Sequence, residues 1–156
     1  MTRTRSTLPR HCRRRLRGAT AIEFAIIFPV FFLIFYAIVT YALIMVAQQS
    51  LTLAASEGAR AMLRYQTSLP ARQTTACNVA QASLTWLPQT PLCPTPTLVT
   101  SQASCTVAGY ACYSVVVTYN YAAAPLVPPL LGPLLSLPTP ATLTGRAVVY
   151  LKTTAS

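Results

Sequence analysis

The hydropathy pattern of the chain is dominated by one long run of residues without a charge. The run extends from Phe24 to Val46 and holds 23 residues, which as a helix would measure roughly 35 Å. A hydrocarbon core is about 30 Å thick, whereas the apolar part of a secretion signal has only about 7 to 15 residues. Since the remaining chain is too small to bury such a helix, the pattern predicts one transmembrane helix at 24–46.

Helical character continues after the apolar character fades. Residues 47–66 contain no proline and many good helix formers, so we predict one helix over 19–66 with an amphipathic second half. Pro29 lies inside the predicted span, where membrane helices tolerate proline. One stripe of this half repeats at helical spacing and comprises Leu51, Ala54, Ala55, Gly58, Ala61 and Met62. Because Ala54 and Gly58 are small, they allow another helix to approach closely; an ordinary alanine-rich helix with one tolerated glycine is the alternative.

The charges are distributed very unevenly. The net charge is +10, and seven of the twelve basic residues are arginines that precede Gly18. A basic block directly before an apolar run is typical of a cytoplasmic N-terminus, which would place the chain after Val46 outside. A basic arm for nucleic acid is the rival interpretation. No aromatic residue is interleaved with the arginines, so we expect no nucleic-acid partner.

Few catalytic groups are available in this chain. It has two acidic side chains, Glu23 and Glu57, one histidine, His11, and no aspartate. Paired-carboxylate hydrolysis, a Ser-His-Asp triad and a histidine-rich metal site are therefore excluded or nearly so. Glu57, Arg60 and Arg64 share a helix face, where we expect an ordinary solvated ion pair. The sequence predicts no enzyme activity, no cofactor and no small-molecule substrate.

The junction between the basic block and the apolar run has the residue pattern of a known kind of processing site. It reads Arg17-Gly18-Ala19-Thr20-Ala21-Ile22-Glu23-Phe24 and resembles a type IV prepilin cleavage site. RGATAIEFAIIFPVFF, followed by QQSLTLAASEGARA, is similar to the TadE-like pseudopilins of the Tad/Flp branch of the type IV pilus machinery. The major Flp pilins are shorter and typically have Glu-Tyr here, so a Glu-Phe pair on a longer chain favours the minor class. The resemblance is specific over roughly residues 17–64.

The resemblance implies how the chain is processed and with what it assembles. A prepilin peptidase would cut after Gly18, which makes 1–18 a leader and Ala19 the first mature residue. Glu23 would then set the register of assembly by pairing with the Ala19 α-amine of a neighbour, because a carboxylate at the membrane edge is costly unless it is used; a simple interaction with the helix dipole is the alternative. The implied partners are the inner membrane, the peptidase, other pilins or pseudopilins and the Tad assembly platform. The implied location is the inner membrane with a periplasmic head, and incorporation into a surface pilus is left open.

The head, 67–156, contains four cysteines. Cys77, Cys93, Cys105 and Cys112 allow three disulfide connectivities in an oxidising compartment, while Cys12 would stay with the cytoplasmic leader. We favour Cys77–Cys93 and Cys105–Cys112, because a turn at Gly109 would place the latter two across a hairpin. Zinc is the alternative, but the spacings lack a closely spaced cysteine pair.

The remaining pattern of the head predicts an α+β fold. Residues 78–87 are expected to form a short helix, and 114–121 and 146–152 are strand candidates in an antiparallel sheet of about three strands. Segment 122–140 has six prolines and cannot span a membrane. It either covers the sheet or offers an apolar docking surface.

Three functions are consistent with these features. The first is a structural minor pseudopilin that acts in pilus assembly or initiation. The second is an uncleaved single-pass protein with a disulfide-stabilised sensor or adaptor head. The third is a secreted enzyme or toxin with an unusually long signal peptide. The mature N-terminus distinguishes them, since it would be Ala19, Met1 or a residue near Gln48, respectively.

Overall fold

The computed structural model describes residues 16–64, 66–99, 109–128 and 138–152, with side chains from Ala21 onward. A long N-terminal helix is followed by a head with a short helix and a three-stranded antiparallel sheet, which confirms the predicted α+β fold. In chain order the elements are α1 (Leu16–Met62), α2 (Leu69–Ala82), β1 (Thr97–Leu98), β2 (Tyr110–Tyr119) and β3 (Leu143–Lys152).

The chain divides into two compact units, Met1–Val39 and Thr40–Ser156. The described part of the first unit is the apolar portion of α1. The second unit contains the rest of α1 and the head. The two units are therefore considered separately below.

Helix α1 is longer at its start and shorter at its end than predicted. It begins at Leu16 and ends at Met62, compared with the expected 19–66. Pro29 is accommodated inside it. Two tighter backbone bonds follow the helix, from Leu63 N to Arg60 O (3.1 Å) and from Arg64 N to Ala61 O (3.2 Å). Such i to i−3 bonds satisfy the last carbonyls and end a helix.

The position predicted for the short helix, 78–87, was wrong by about two turns at its start. Helix α2 runs over Leu69–Ala82, because Ser68 caps it by accepting a hydrogen bond from Ala71 N (3.4 Å) and a proline stands in its first turn. Beyond Ala82 the chain continues in turns, with Leu84 N bonded to Gln81 O (3.0 Å) and Leu87 N to Leu84 O (3.1 Å). The apolar pattern of 78–87 therefore describes half a helix and the turns after it.

The sheet has the order β1-β2-β3 with both pairings antiparallel. Strand β2 starts directly after Gly109, whose φ of 83° confirms the predicted turn there. It ends one residue before Asn120, whose side-chain oxygen accepts a hydrogen bond from Ala123 N (3.1 Å). Strand β2 begins four residues and ends two residues earlier than the predicted 114–121. Strand β3 begins three residues earlier than the predicted 146–152 and ends at the same residue.

The core of the head forms where the sheet and α2 pack on the second half of α1. The predicted small-residue stripe of α1 is buried throughout. Gln48 Nε2 donates a hydrogen bond to Thr144 O (2.8 Å), which joins α1 to β3. The apolar residues that meet the stripe are Ala76 and Ala80 of α2, Val115, Val117 and Tyr119 of β2, and Leu143, Val149 and Leu151 of β3.

Tyr119 is a buried polar anchor of this core. Its hydroxyl donates to Ala124 O (2.6 Å), so the phenol has a partner although its ring is fully buried. Burial raises the pKa of Tyr119 above 10.0, and the neighbouring Tyr121 adds to the rise. The side chain therefore stays neutral inside the head at physiological pH.

Candidate functional site

The first unit presents an apolar surface around α1. Phe24 (66%), Ile26 (67%), Phe31 (63%) and Ile38 (62%) are among its strongly exposed side chains. Phenylalanines at i, i+4 spacing stack along it, with ring centroids 5.3 Å apart for Phe24 and Phe28. An exposed apolar surface of this size is typical of a membrane or protein interface. Among the described residues one helix is long and apolar enough to cross a membrane, and that segment lies near the N-terminus.

Seven residues of the predicted span 24–46 belong to the second unit, which begins at Thr40. There Thr40 (4%) and Ile44 (8%) are buried, and Ile44 belongs to the core that α1 forms with the head. Tyr41 also donates its hydroxyl hydrogen to Pro138 O (3.1 Å). On this face protein covers the helix, so lipid could surround α1 completely only before Thr40.

Glu23 is an exposed carboxylate within the apolar surface. Its neighbours Ile22 (64%) and Phe24 (66%) are also exposed. It lies seven residues after the start of α1 at Leu16, beyond the first turn, where the attraction of the helix dipole is strongest. In the unprocessed chain the dipole therefore offers Glu23 little stabilisation.

The predicted processing site, Gly18-Ala19, lies in the first turns of α1. The backbone on both sides of the Gly18–Ala19 bond is helical. Residues 1–15 of the predicted leader, with Cys12, lie outside the described residues. The predicted cleavage itself stays a prediction.

Ala54 and Gly58, the predicted packing residues, face the chain's own head. Gly58 is buried, and a Cβ added there would lie 2.8 Å from Ala76 O and 3.2 Å from the Ala80 side chain. The absence of a side chain at Gly58 thus lets α2 approach α1 at backbone distance. Within this chain the helix that uses the small-residue surface is α2.

One of the two predicted disulfides lies among the described residues. Cys77 of α2 and Cys93 are bonded, with their Cα atoms 5.6 Å apart, which confirms this pairing. Cys112 is also disulfide-bonded, but Cys105 lies outside the described residues, so the Cys105–Cys112 pair stays a prediction.

Two other charged side chains, Glu57 and Arg146, take part in hydrogen bonds. Glu57 accepts from Arg60 across 3.0 Å, and both side chains are at least half exposed, as expected for a solvated pair of small energetic value. Arg146 Nε donates a hydrogen bond to Ser114 Oγ (2.9 Å). This bond could not be predicted from the sequence, because 32 residues separate its partners. In the described part of the chain no three His, Cys, Asp or Glu side chains are grouped to hold a metal ion.

Taken together, an exposed apolar N-terminal helix and a small disulfide-bonded head fit a membrane protein. Residues 18–60 match the family model described as TadE-like protein, which confirms the resemblance seen in the sequence and supports involvement with Tad pilus systems. The match starts at Gly18 and ends two residues before α1 does, so the head lies outside it. No curated protein matches the chain. No solved structure matches it either.

Proposed function

We propose that the chain is a minor pseudopilin of a Tad-type pilus or a related secretion system, with a structural role in assembly or initiation and no catalytic activity. A prepilin peptidase processes it after Gly18. The observation that carries the proposal is the lone carboxylate of Glu23 in an exposed apolar helix, within a segment that matches the TadE-like family from Gly18 onward.

The extent of the exposed helix supports this assignment. From Ala19 to Val39, α1 would measure about 31 Å, which equals the hydrocarbon thickness of a bilayer. The head buries one face of α1 from Thr40 onward, so the lipid-embedded part of a processed subunit is 19–39 rather than 24–46. Glu23 would then lie about 6 Å along the helix from the Ala19 α-amine, within the membrane edge.

That depth gives Glu23 a role in assembly. A carboxylate and an α-amine attract each other strongly where water is scarce, and each is costly to leave there alone. The Glu23 carboxylate of one subunit therefore pairs with the Ala19 α-amine of its neighbour and fixes the register between their helices. The partners are other pilins or pseudopilins and the assembly platform in the inner membrane.

One observation favours the uncleaved single-pass protein as a second candidate. The backbone at Gly18 and Ala19 is helical, and a peptidase acts on a bond that is accessible. Cleavage would require the first turns of α1 to unwind, which glycine facilitates because it lowers helix stability by about 1 kcal/mol relative to alanine.

The mass of the full-length chain in membranes distinguishes the two functions. We expect removal of residues 1–18 when the chain is co-expressed with a prepilin peptidase, and the intact chain when the peptidase is absent or inactive. The matched variant Gly18→Ala should be cut more slowly, because alanine stabilises the helix across the bond. An unchanged mass with active peptidase would reject the pseudopilin assignment in favour of the uncleaved protein.

A further inference from the structure

A basic cavity lies at the end of the head where β2 begins and β3 ends. It has a volume of about 250 Å³ and is lined by residues of the sheet and of the segment that begins α2. Its polar lining includes Thr67, Ser68, Arg72, Tyr113 and Lys152. Arg72 and Lys152 are 80 residues apart in sequence, and the fold brings both to one cavity.

The two cations of this cavity lack a carboxylate partner in the part of the chain that the structure describes. The sequence offers only two acidic side chains, Glu23 and Glu57, and Glu57 is bonded to Arg60. From residue 67 to residue 156 the head has no acidic side chain at all. Two like charges at one cavity repel each other, and an anionic group placed between them would remove that repulsion.

We infer that this cavity binds a carboxylate side chain from an acidic segment of a partner protein. Arginine and lysine form charge-assisted hydrogen bonds with carboxylates, and both line this cavity. Because Ser68 already caps α2 through Ala71 N, the two cations, and not the helix end, supply the attraction.

Position and composition together identify the source of the carboxylate. From Val39, where the proposed lipid-embedded part ends, α1 continues for 23 residues to Met62, about 35 Å of helix, before the chain reaches the cavity at Gln66. Lipid headgroups at that membrane edge are therefore too far away. A second copy is a poorer source, since it offers only two acidic side chains: Glu57 is isolated and already beside Arg60, and Glu23 lies in the apolar segment.

This inference goes beyond the proposed function. It concerns the surface with which the head recognises a partner and depends on neither cleavage at Gly18 nor pairing by Glu23. The two can therefore fail independently, since mass analysis tests one and ligand binding tests the other.

Binding of a defined acidic peptide tests the inference. The full chain, reconstituted in nanodiscs of zwitterionic lipid, would be titrated with a fluorescent, terminally blocked tetraglutamate peptide and followed by anisotropy. We expect Arg72→Gln and Lys152→Gln each to weaken binding about tenfold, the usual effect of one charge-assisted hydrogen bond. Added salt should weaken binding to the unmodified chain.

Matched variants separate a cavity from general basicity. Arg64→Gln removes the same charge from an exposed residue that does not line the cavity, and it should leave the affinity within about twofold. Arg72→Lys and Lys152→Arg preserve charge and should retain most of the binding, and thermal unfolding would show that all variants fold. An equal loss of affinity in Arg64→Gln would overturn the inference.

Two further probes identify the anion. Inorganic phosphate should compete poorly with the peptide, and vesicles containing anionic phosphatidylglycerol should bind equally well to the unmodified chain and to Arg72→Gln. If phosphate competes with the peptide at the same concentration of charge, the cavity is a site for an inorganic anion only, and the inference of a protein partner is rejected. If Arg72→Gln loses vesicle binding and the unmodified chain does not bind the peptide, the cavity would be a lipid site and a protein partner would be rejected.

Discussion

Gly145 of β3 lies directly against the backbone of Leu51 in α1. A Cβ at position 145 would overlap the carbonyl group of Leu51 and lie 2.7 Å from Thr52 N. Neighbouring bonds hold the strand in this place, since Gly145 pairs with Val117 of β2 and Gln48 Nε2 is bonded to Thr144 O. The sheet can thus reach the helix backbone only because position 145 has no side chain.

Replacing Gly145 with alanine should therefore loosen the attachment of the head to α1. Backbone atoms cannot move aside as a flexible side chain does, so we expect the free energy of unfolding to fall by about 1–3 kcal/mol. Urea titration of the chain in neutral detergent, followed by the fluorescence of Trp86, measures this loss.

Gly109→Ala is the matched control for that experiment. Gly109 has no atom within 4 Å of an added Cβ but has a positive φ, so only backbone strain of roughly 1–2 kcal/mol is expected. A loss clearly below about 1 kcal/mol at position 145 would contradict the close contact between β3 and α1.

Periodicity alone was sufficient to predict the buried face of α1. Leu51, Ala54, Ala55 and Met62 repeat at helical spacing, and all are fully or almost fully buried. A one-dimensional pattern tells which face of a helix is covered, because the spacing reflects one geometry. It cannot tell what covers that face, and here the cover is the chain's own α2 and sheet.

Features that depend on tertiary structure were not predictable in the same way. The start of α2 is set by the Ser68 cap, a local signal that was outweighed by the apolar pattern of 78–87. The meeting of Arg72 and Lys152 at one cavity requires the register of β2 against β3. The Cys77–Cys93 bond was predictable because an oxidising compartment favours disulfides among the four head cysteines, and a hairpin at Gly109 that pairs Cys105 with Cys112 leaves these two.

Gly58→Ala should destabilise the head even though alanine favours a helix. The added Cβ would lie 2.8 Å from Ala76 O, a contact that α2 can relieve only by moving away. We expect a net loss of about 1–3 kcal/mol, measured by the same urea titration. Ser56→Ala, two residues earlier on a less buried position, should be neutral or slightly stabilising, and equal behaviour of the two variants would contradict the packing described for Gly58.

Loss of the Cys77–Cys93 bond should also destabilise the head. The bond closes a loop with a sequence separation of 16, for which about 3 kcal/mol is expected. The double variant Cys77→Ser, Cys93→Ser should unfold at lower urea, and reductant should have less effect on it than on the unmodified chain. Cys12→Ser is the control and should behave as the unmodified chain.

Alkylation of exported protein extends this test to the second predicted bond. If Cys105 pairs with Cys112, all four head cysteines should resist alkylation until they are reduced. Two freely alkylated head cysteines would reject the Cys105–Cys112 pair, and four would also reject formation of the Cys77–Cys93 bond in the cell.

Glu23→Gln should leave a stable, processed subunit that fails to assemble. The substitution removes the carboxylate but keeps Gly18, Ala19 and the apolar helix, so insertion and cleavage should continue. If Glu23 pairs with the Ala19 α-amine of a neighbour inside the membrane edge, the variant leaves that amine unpaired. An unpaired buried charge costs roughly 3–5 kcal/mol, which would weaken association by more than about a hundredfold.

Glu57→Gln provides the comparison, because it removes the same charge from an exposed ion pair. The Glu57–Arg60 pair is 50–74% exposed, so its loss should change stability by less than about 1 kcal/mol and leave assembly intact. Co-purification with pilin partners and the number of pili per cell measure both variants. Dipole stabilisation alone would cost Glu23→Gln only about 0.3–1 kcal/mol. Normal piliation in the Glu23→Gln strain would therefore reject the register role. Loss of pili in the Glu23→Gln strain, with normal piliation in the Glu57→Gln strain, would show that assembly needs a carboxylate at position 23.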